Sequence, residues 1–226
     1  MNVSEAVTSR HSVRAFLDRP VDRTIIEKLL EKARWAPSGG NLQPWRVYVV
    51  SGDDLTRFKS AMNNRIAAQP MGEACEYAVY PPRLKEPYRT HRFDCGEALY
   101  NAIGVERGDA FGRLAQFANN YQFFGAPVAL FFAIDRSMRQ GQWADLGMFV
   151  QTFMLLAREE GLDTCAQEAW SVWPNTVAEF LDMPEELMLF CGMALGYKDE
   201  EHAINNWRTE RAPLDQFVHW RGFDSD

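Results

Sequence analysis

Cysteine and histidine are scarce in this chain, with four of each among 226 residues. Cys75, Cys95, Cys165 and Cys191 are widely spread and form no CxxC pair, which sets aside a disulfide framework and a cysteine metal site. They read as structural thiols. His11, His91, His202 and His219 are equally scattered, without HExxH or His-x-His spacing, so no protein-bound metal is expected. Long apolar runs are also lacking: the stretches near 126–134 and 187–195 fall short of the about 18 to 20 residues that span a bilayer. Met1-Asn2-Val3-Ser4-Glu5 has neither the basic nor the apolar region of a signal peptide, and a cytoplasmic protein is expected. Positive charge is in deficit as well. A formal net charge of -7 disfavours nucleic acid and anionic membranes as partners and points to small molecules. No GxGxxG follows the first strand pattern and no GxxxxGK precedes a Ser or Thr, so Rossmann and P-loop readings lose their warrant. Any redox chemistry must then come from an organic cofactor that is held in another way.

What the chain does have is enough apolar material, 46% of residues, to bury a full core as one domain over 1–226. Ile25, Ile26, Leu29, Leu30 and Ala33 recur at helical spacing, with Thr24 and Glu27 placed as a capping box and Pro37 closing the helix. Strands are expected at 46–50, 128–134 and 187–195, and helices at 53–67, 97–103, 110–119, 143–160 and 176–181. The 143–160 helix carries a broad apolar stripe from Leu146 to Ala157. Few strands among many helices, without repeats, indicate α+β architecture. Between 68 and 92 the sequence turns irregular, with prolines and tyrosines interleaved, and reads as a lid-like substrate segment or a stiffened solvated connection. Its Arg83, Lys85, Arg89 and Arg92 are suited to attracting an anionic aromatic or are simply solvated.

Two local patterns suggest a phosphorylated, flat ligand. Ser9-Arg10-His11-Ser12-Val13-Arg14 concentrates guanidinium and hydroxyl donors, and Arg208 with Arg211 adds two more forks, the geometry that a phosphate monoester accepts. Pro37-Ser38-Gly39-Gly40-Asn41-Leu42-Gln43 is a turn whose glycines permit close approach and whose amides both donate and accept. Each pattern alone also fits a solvated arginine patch or an ordinary helix-to-strand turn. Trp35 and Trp45 read as packing anchors. Thr164-Cys165-Ala166-Gln167-Glu168-Ala169-Trp170 reads as a polar turn offering backbone amides, because Glu168 has no neighbouring carboxylate or histidine for acid/base work.

The segments Arg10-His11-Ser12-Val13-Arg14-Ala15-Phe16, Ala36 to Trp45, Ala166 to Trp170 and Arg208 to Leu214, in that order, resemble the FMN-dependent nitroreductase family. The resemblance implies an α+β fold with a central, mainly antiparallel sheet flanked by helices, assembled as an intertwined homodimer with FMN at the interface. It implies that Arg10, His11, Ser12, Arg14, Arg208 and Arg211 hold the phosphate, ribityl chain and pyrimidine edge. Pro37, Ser38, Gly39 and Asn41 would come from the neighbouring subunit, while Gln167, Glu168 and Ala169 would lie beside the isoalloxazine, a backbone amide bonding N5. The implied reaction is ping-pong hydride transfer from NAD(P)H through flavin N5 to nitroaromatic compounds or quinones, with no catalytic side chain of its own. A tail over 197–226 would wrap the partner. Within the family, that tail and the 77–92 segment resemble the nitrobenzoate and nitroaromatic reductase branch, with Tyr80, Tyr88, Phe123 and Phe124 as candidate substrate contacts. Reductive dehalogenation or flavin cleavage on the same fold is the related alternative, and a non-catalytic flavin-binding protein is the alternative of another class. Nicotinamide and oxidant would share one pocket, and no separate nucleotide motif separates NADH from NADPH.

Overall fold

The computed structural model describes residues 1–223; residues 224–226, the end of the expected wrapping tail, lie outside the described residues. The described residues run through seven α-helices, α1 (Val3–Ser9), α2 (Arg23–Ala33), α3 (Gly52–Ala68), α4 (Tyr88–Ala102), α5 (Ala110–Ala118), α6 (Gln140–Glu159) and α7 (Pro174–Phe180). Four strands, β1 (Arg46–Ser51), β2 (Val128–Asp135), β3 (Asp163–Gln167) and β4 (Leu187–Gly196), form one sheet in the order β1-β2-β4-β3 with every neighbour antiparallel. The architecture is the α+β arrangement expected from the sequence.

Alternation along β2 explains the two-sided core. Ala129 and Phe131 face a cluster with Phe58 and Met62 of α3 and Val177 of α7. Leu130, Phe132 and Ile134 face Leu29 of α2 and Leu146, Phe149 and Phe153 of α6. Helices on both faces leave β2 almost wholly buried, which is why its sequence is continuously apolar instead of alternating. Asp22, not Thr24, caps α2: its carboxylate accepts from the Thr24 amide at 2.8 Å, so the helix starts earlier than a Thr24–Glu27 box would place it.

Three further local expectations change. Tyr88 to Arg92 belong to α4, so the irregular segment ends at Pro87. That segment is tied down: Glu73 accepts from the amides of Asn175 at 2.7 Å and Thr176 at 3.2 Å at the start of α7, and Glu76 pairs with Arg136 at 2.6 Å. Thr164 to Gln167 form β3 rather than a turn, and a 3-10 turn follows at Glu168–Val172. Trp45 stacks on Phe149 at 4.8 Å, but Trp35 is 82% exposed, with the Arg34 guanidinium 5.9 Å from its ring, and lies outside the core. Cys165 and Cys191 are buried, whereas Cys75 and Cys95 are exposed, and all four are free.

Trp170, fully buried, is the hub of the first cluster, 4.8 Å from Phe123 in a stacked pair and 5.3 Å from both Tyr121 and Phe131 edge-on. Such pairs contribute about 0.5 to 1.5 kcal/mol each beyond their area. The indole lies directly against Gly192 of β4, where an added Cβ would come within 2.3 Å of it. Only a missing side chain lets the 3-10 turn sit this low on the sheet. Gly192→Ala is therefore expected to destabilise the fold by about 1 to 3 kcal/mol through overpacking. Urea unfolding followed by tryptophan fluorescence checks this, and an unchanged midpoint would contradict the packing described.

Candidate functional site

Two cavities meet at Arg14. The first, about 480 Å³, is lined by Arg10, His11, Ser12 and Arg14 from one segment and Arg208 and Arg211 from the tail. The second, about 720 Å³, is walled by Arg14, Tyr80, Phe124, Gln167, Glu168 and Ala169, with Tyr100, Asn120, Ser171 and Phe190 among its other lining residues. Sequence segments about two hundred residues apart are thus brought into one cleft.

The joint that aligns them is backbone pairing at the edge of the sheet. Ser12 bridges Thr164 in parallel register, and the Val13 amide donates to the Thr164 carbonyl at 3.1 Å. Asn205, only 3% exposed, locks the next residues: its Oδ1 accepts from the Arg14 amide at 2.9 Å, and its Nδ2 donates to the carbonyls of Ala15 and Asp199 at 2.8 and 2.9 Å. A buried amide with its donors and acceptor satisfied specifies one register. The tail is held here too, since the Arg208 guanidinium donates to the Arg10 carbonyl at 3.1 Å.

The electrostatics of the first cavity favour an anion. Burial, then the nearby Arg211 and Arg208 charges, pulls the Arg10 guanidinium below its ordinary value. Burial likewise lowers His11, whose Nδ1 donates to the Ser9 carbonyl at 3.3 Å while its Nε2 is buried without a partner. Four guanidiniums, the Ser12 hydroxyl and an imidazole converging without a carboxylate among the lining residues fit the donor demand of a phosphate monoester.

The second cavity fits a flat ring with polar edges. Gln167 is fixed by donating from Nε2 to the Asn120 carbonyl at 2.7 Å, which leaves its Oε1 buried without a donor; Ser171 Oγ is in the same state. These two buried oxygens without a partner, on a wall that also carries Arg14 and Glu168, suit the N–H edge of a heterocycle. Burial raises the Glu168 carboxyl above its usual range. Phe190 reaches the cavity through a bulge: Phe132 pairs with Cys191 and Ala133 with Leu189, so Phe190 has no partner on β2. Tyr77 stacks on it at 5.9 Å and donates its hydroxyl to the Phe190 carbonyl.

The remaining expected residues lie elsewhere. Pro37, Ser38, Gly39 and Asn41 line neither cavity; their turn is mostly exposed and is pinned to α6 where the Gly39 amide donates to buried Asp145 at 3.1 Å. Left-handed backbone at Gly40 and Asn41, with φ 58 and 56, gives the turn its shape and makes a glycine useful there. Of the four aromatic candidates, Tyr80 and Phe124 line the ring cavity. Phe123 is fully buried against Trp170, and Tyr88 is 64% exposed at the start of α4 and lines neither cavity. No sequence pattern marks Phe190, Asn120, Ser171 or Asn205, since a bulge and a long-range clamp leave no local trace.

The chain is similar to known proteins along most of its length. The model of the Nitroreductase family matches residues 7–197. The chain is 37% identical to a 4-nitrobenzoate reductase of Pseudomonas putida over 221 residues, covering 96% of this chain and 95% of that protein. It is 34% identical over 216 residues to a chloronitrobenzene nitroreductase of Comamonas testosteroni, covering 96% and 95%. Among solved structures, the FMN and NADPH-dependent nitroreductase NfnB from Sphigopyxis sp. strain HMH superimposes with a TM-score of 0.96 at 46% identity, covering 99% of this chain and 100% of that one. With its sheet order, its bipartite cleft and a family match over most of its length, the chain belongs to the nitroreductase family.

Proposed function

We propose that the protein is an NAD(P)H-dependent FMN oxidoreductase that reduces nitroaromatic compounds. The observation that carries this reading is the position of Arg14, which walls both an arginine-lined anion cleft and a flat polar-edged cavity, the two halves that an FMN requires. Support comes also from relatives named as nitrobenzoate and chloronitrobenzene reductases and from structural neighbours described as FMN- and NADPH-dependent.

Bound FMN supplies hydride acceptance and donation, the chemistry for which the chain has no constellation of its own. Arg10, Ser12, Arg208 and Arg211 hold its phosphate, with His11 filling in beside them. Arg14 spans from the phosphate side to the ring. Gln167, Glu168 and Ala169 present polar and backbone groups to the ring edge, and Ser171 adds an acceptor. Tyr80, Phe124 and Phe190 supply aromatic surface that orients a second ring and excludes water. No acidic or basic side chain is asked to carry the redox step.

The proposed active form is a homodimer. Leu214, Phe217, Trp220 and Phe223 of the tail are all more than 60% exposed, as is Trp35 beside the 37–43 turn, which is far more apolar surface than a lone chain gains from showing. Pro37, Ser38, Gly39 and Asn41, which line neither of the two cavities of their own chain, then serve the flavin of the partner subunit. Four free cysteines without a bridge agree with a cytoplasmic location.

Purified protein is expected to be yellow, to bleach under anaerobic conditions with NAD(P)H, and to recolour when a nitroaromatic such as 4-nitrobenzoate is added; failure to bleach would refute the redox reading. Arg10→Ala and Arg211→Ala are each expected to weaken FMN retention by about 1.5 to 3 kcal/mol, the range for hydrogen bonds to a charged group. Equilibrium dialysis with FMN measures this, and unchanged affinity in both variants would contradict the phosphate assignment. Analytical ultracentrifugation should give a dimer of the yellow species, whereas a stable FMN-bound monomer would remove the partner's role.

A further inference from the structure

A third depression, of about 920 Å³, lies where the 81–84 stretch meets α4 and α5, and its charged lining is Arg83, Arg89, Arg92, Arg107, Arg113 and the single carboxylate Glu97. Arg92 walls this depression and the ring cavity alike, so the two adjoin. Arg113 is held by Glu97 at 2.9 Å and Arg89 by Glu86 at 2.6 Å. Arg83, Arg92 and Arg107 have no carboxylate partner among the described residues. In a chain with net charge -7, such a concentration of unneutralised guanidinium marks a place that receives negative charge.

The arginines are also arranged to receive it. Arg92 lies over the Tyr80 ring at 4.3 Å and Arg107 over the Phe93 ring at 5.0 Å. Stacking engages the guanidinium face and leaves its edge, where the N–H groups are, free to form forked hydrogen bonds. Arg113 has a further Nη2 that is buried without a partner.

The size and number of these groups choose between two anionic ligands. The carboxylate of a nitrobenzoate, with its ring in the ring cavity, extends to Arg92 at the border and occupies one fork. A space larger than the ring cavity, with unpaired guanidiniums beyond that border, calls for several anionic groups strung along a chain. NADPH meets that description: with its nicotinamide in the ring cavity, its pyrophosphate and 2′-phosphate monoester lie further out, the latter carrying about 1.5 to 2 negative charges at neutral pH. We propose that this arginine cleft binds the phosphates of NADPH and makes the protein prefer NADPH to NADH. The proposal rests on the NAD(P)H-dependent reading above and names the residues that select the donor.

Three hydride donors separate the outcomes: NADPH, NADH and N-benzyl dihydronicotinamide, which carries no phosphate. Flavin bleaching is followed by anaerobic stopped flow in the intact holoenzyme, in Arg83→Ala and in Arg107→Ala, with thermal unfolding as a check on folding. Each variant is expected to lose about tenfold in apparent affinity for NADPH, less for NADH, and nothing with the benzyl donor. Equal losses with all three donors, or undiminished NADPH affinity in both variants, would overturn the assignment. So would a loss seen only in KM for 4-nitrobenzoate relative to nitrobenzene, which would give the cleft to the substrate carboxylate. A wild-type holoenzyme that none of the three donors bleaches would instead refute the oxidoreductase reading itself, leaving the two failures distinct.

Discussion

Everything in the cleft depends on the joint at Asn205. One buried side chain holds the Arg14 amide, the Ala15 carbonyl and the Asp199 carbonyl together, and thereby fixes both the arginine-bearing segment and the start of the tail against the edge of β3. Without that joint the like charges of Arg10, Arg208 and Arg211 would drive the two segments apart, since nothing anionic in the lining offsets them. Strand pairing between Ser12 and Thr164 sets the angle at which the cationic segment leaves the sheet. The phosphate end and the ring end are therefore in register because β3 carries Thr164 at one side and Gln167 at its end.

Beneath this edge lies the aromatic cluster around Trp170. Its indole occupies the space left by Gly192, which lowers the Glu168–Val172 turn onto the sheet and lets Gln167, Ser171 and the Phe190 bulge form one wall. Rigid packing under a polar rim is what a site built for a pre-formed cofactor requires, since the groups that meet the ring must not have to reorganise. The left-handed conformations of Phe123 and Phe124 belong to the same constraint: one ring fills the core while the next turns to the cavity.

How much of this could be read from the chain varies by element. The 46–51, 128–135 and 187–196 strands were legible because they are apolar and bounded, and the helices α2, α3 and α6 because one face repeats. β3 has the local pattern of a turn, since Thr164 and Gln167 are polar; they are tolerated at 2% exposure because β4 and the Ser12 segment flank their strand. Short α1, with Ala6 as its buried residue, offers no periodicity to detect. The first residues of α4 were hidden by the proline-rich run before them. Arg10, Ser12, Arg14, Arg208 and Arg211 stood out by residue type alone, but no local pattern marks Asn205, Asn120 or Phe190.

By itself the sequence determined the inventory: an apolar core divided between strands and amphipathic helices, two arginine-bearing segments and a glycine turn. These are composition and periodicity, properties that act over a few neighbouring residues. Only the tertiary structure decided that residues 10–14 and 208–211 face one cleft, that Arg14 opens it onto the ring cavity, and that Phe123 is core while Phe124 is wall. Those outcomes hang on contacts across nearly two hundred residues, on one absent Cβ and on one bulge in a strand, and none of these has a signature shorter than the fold.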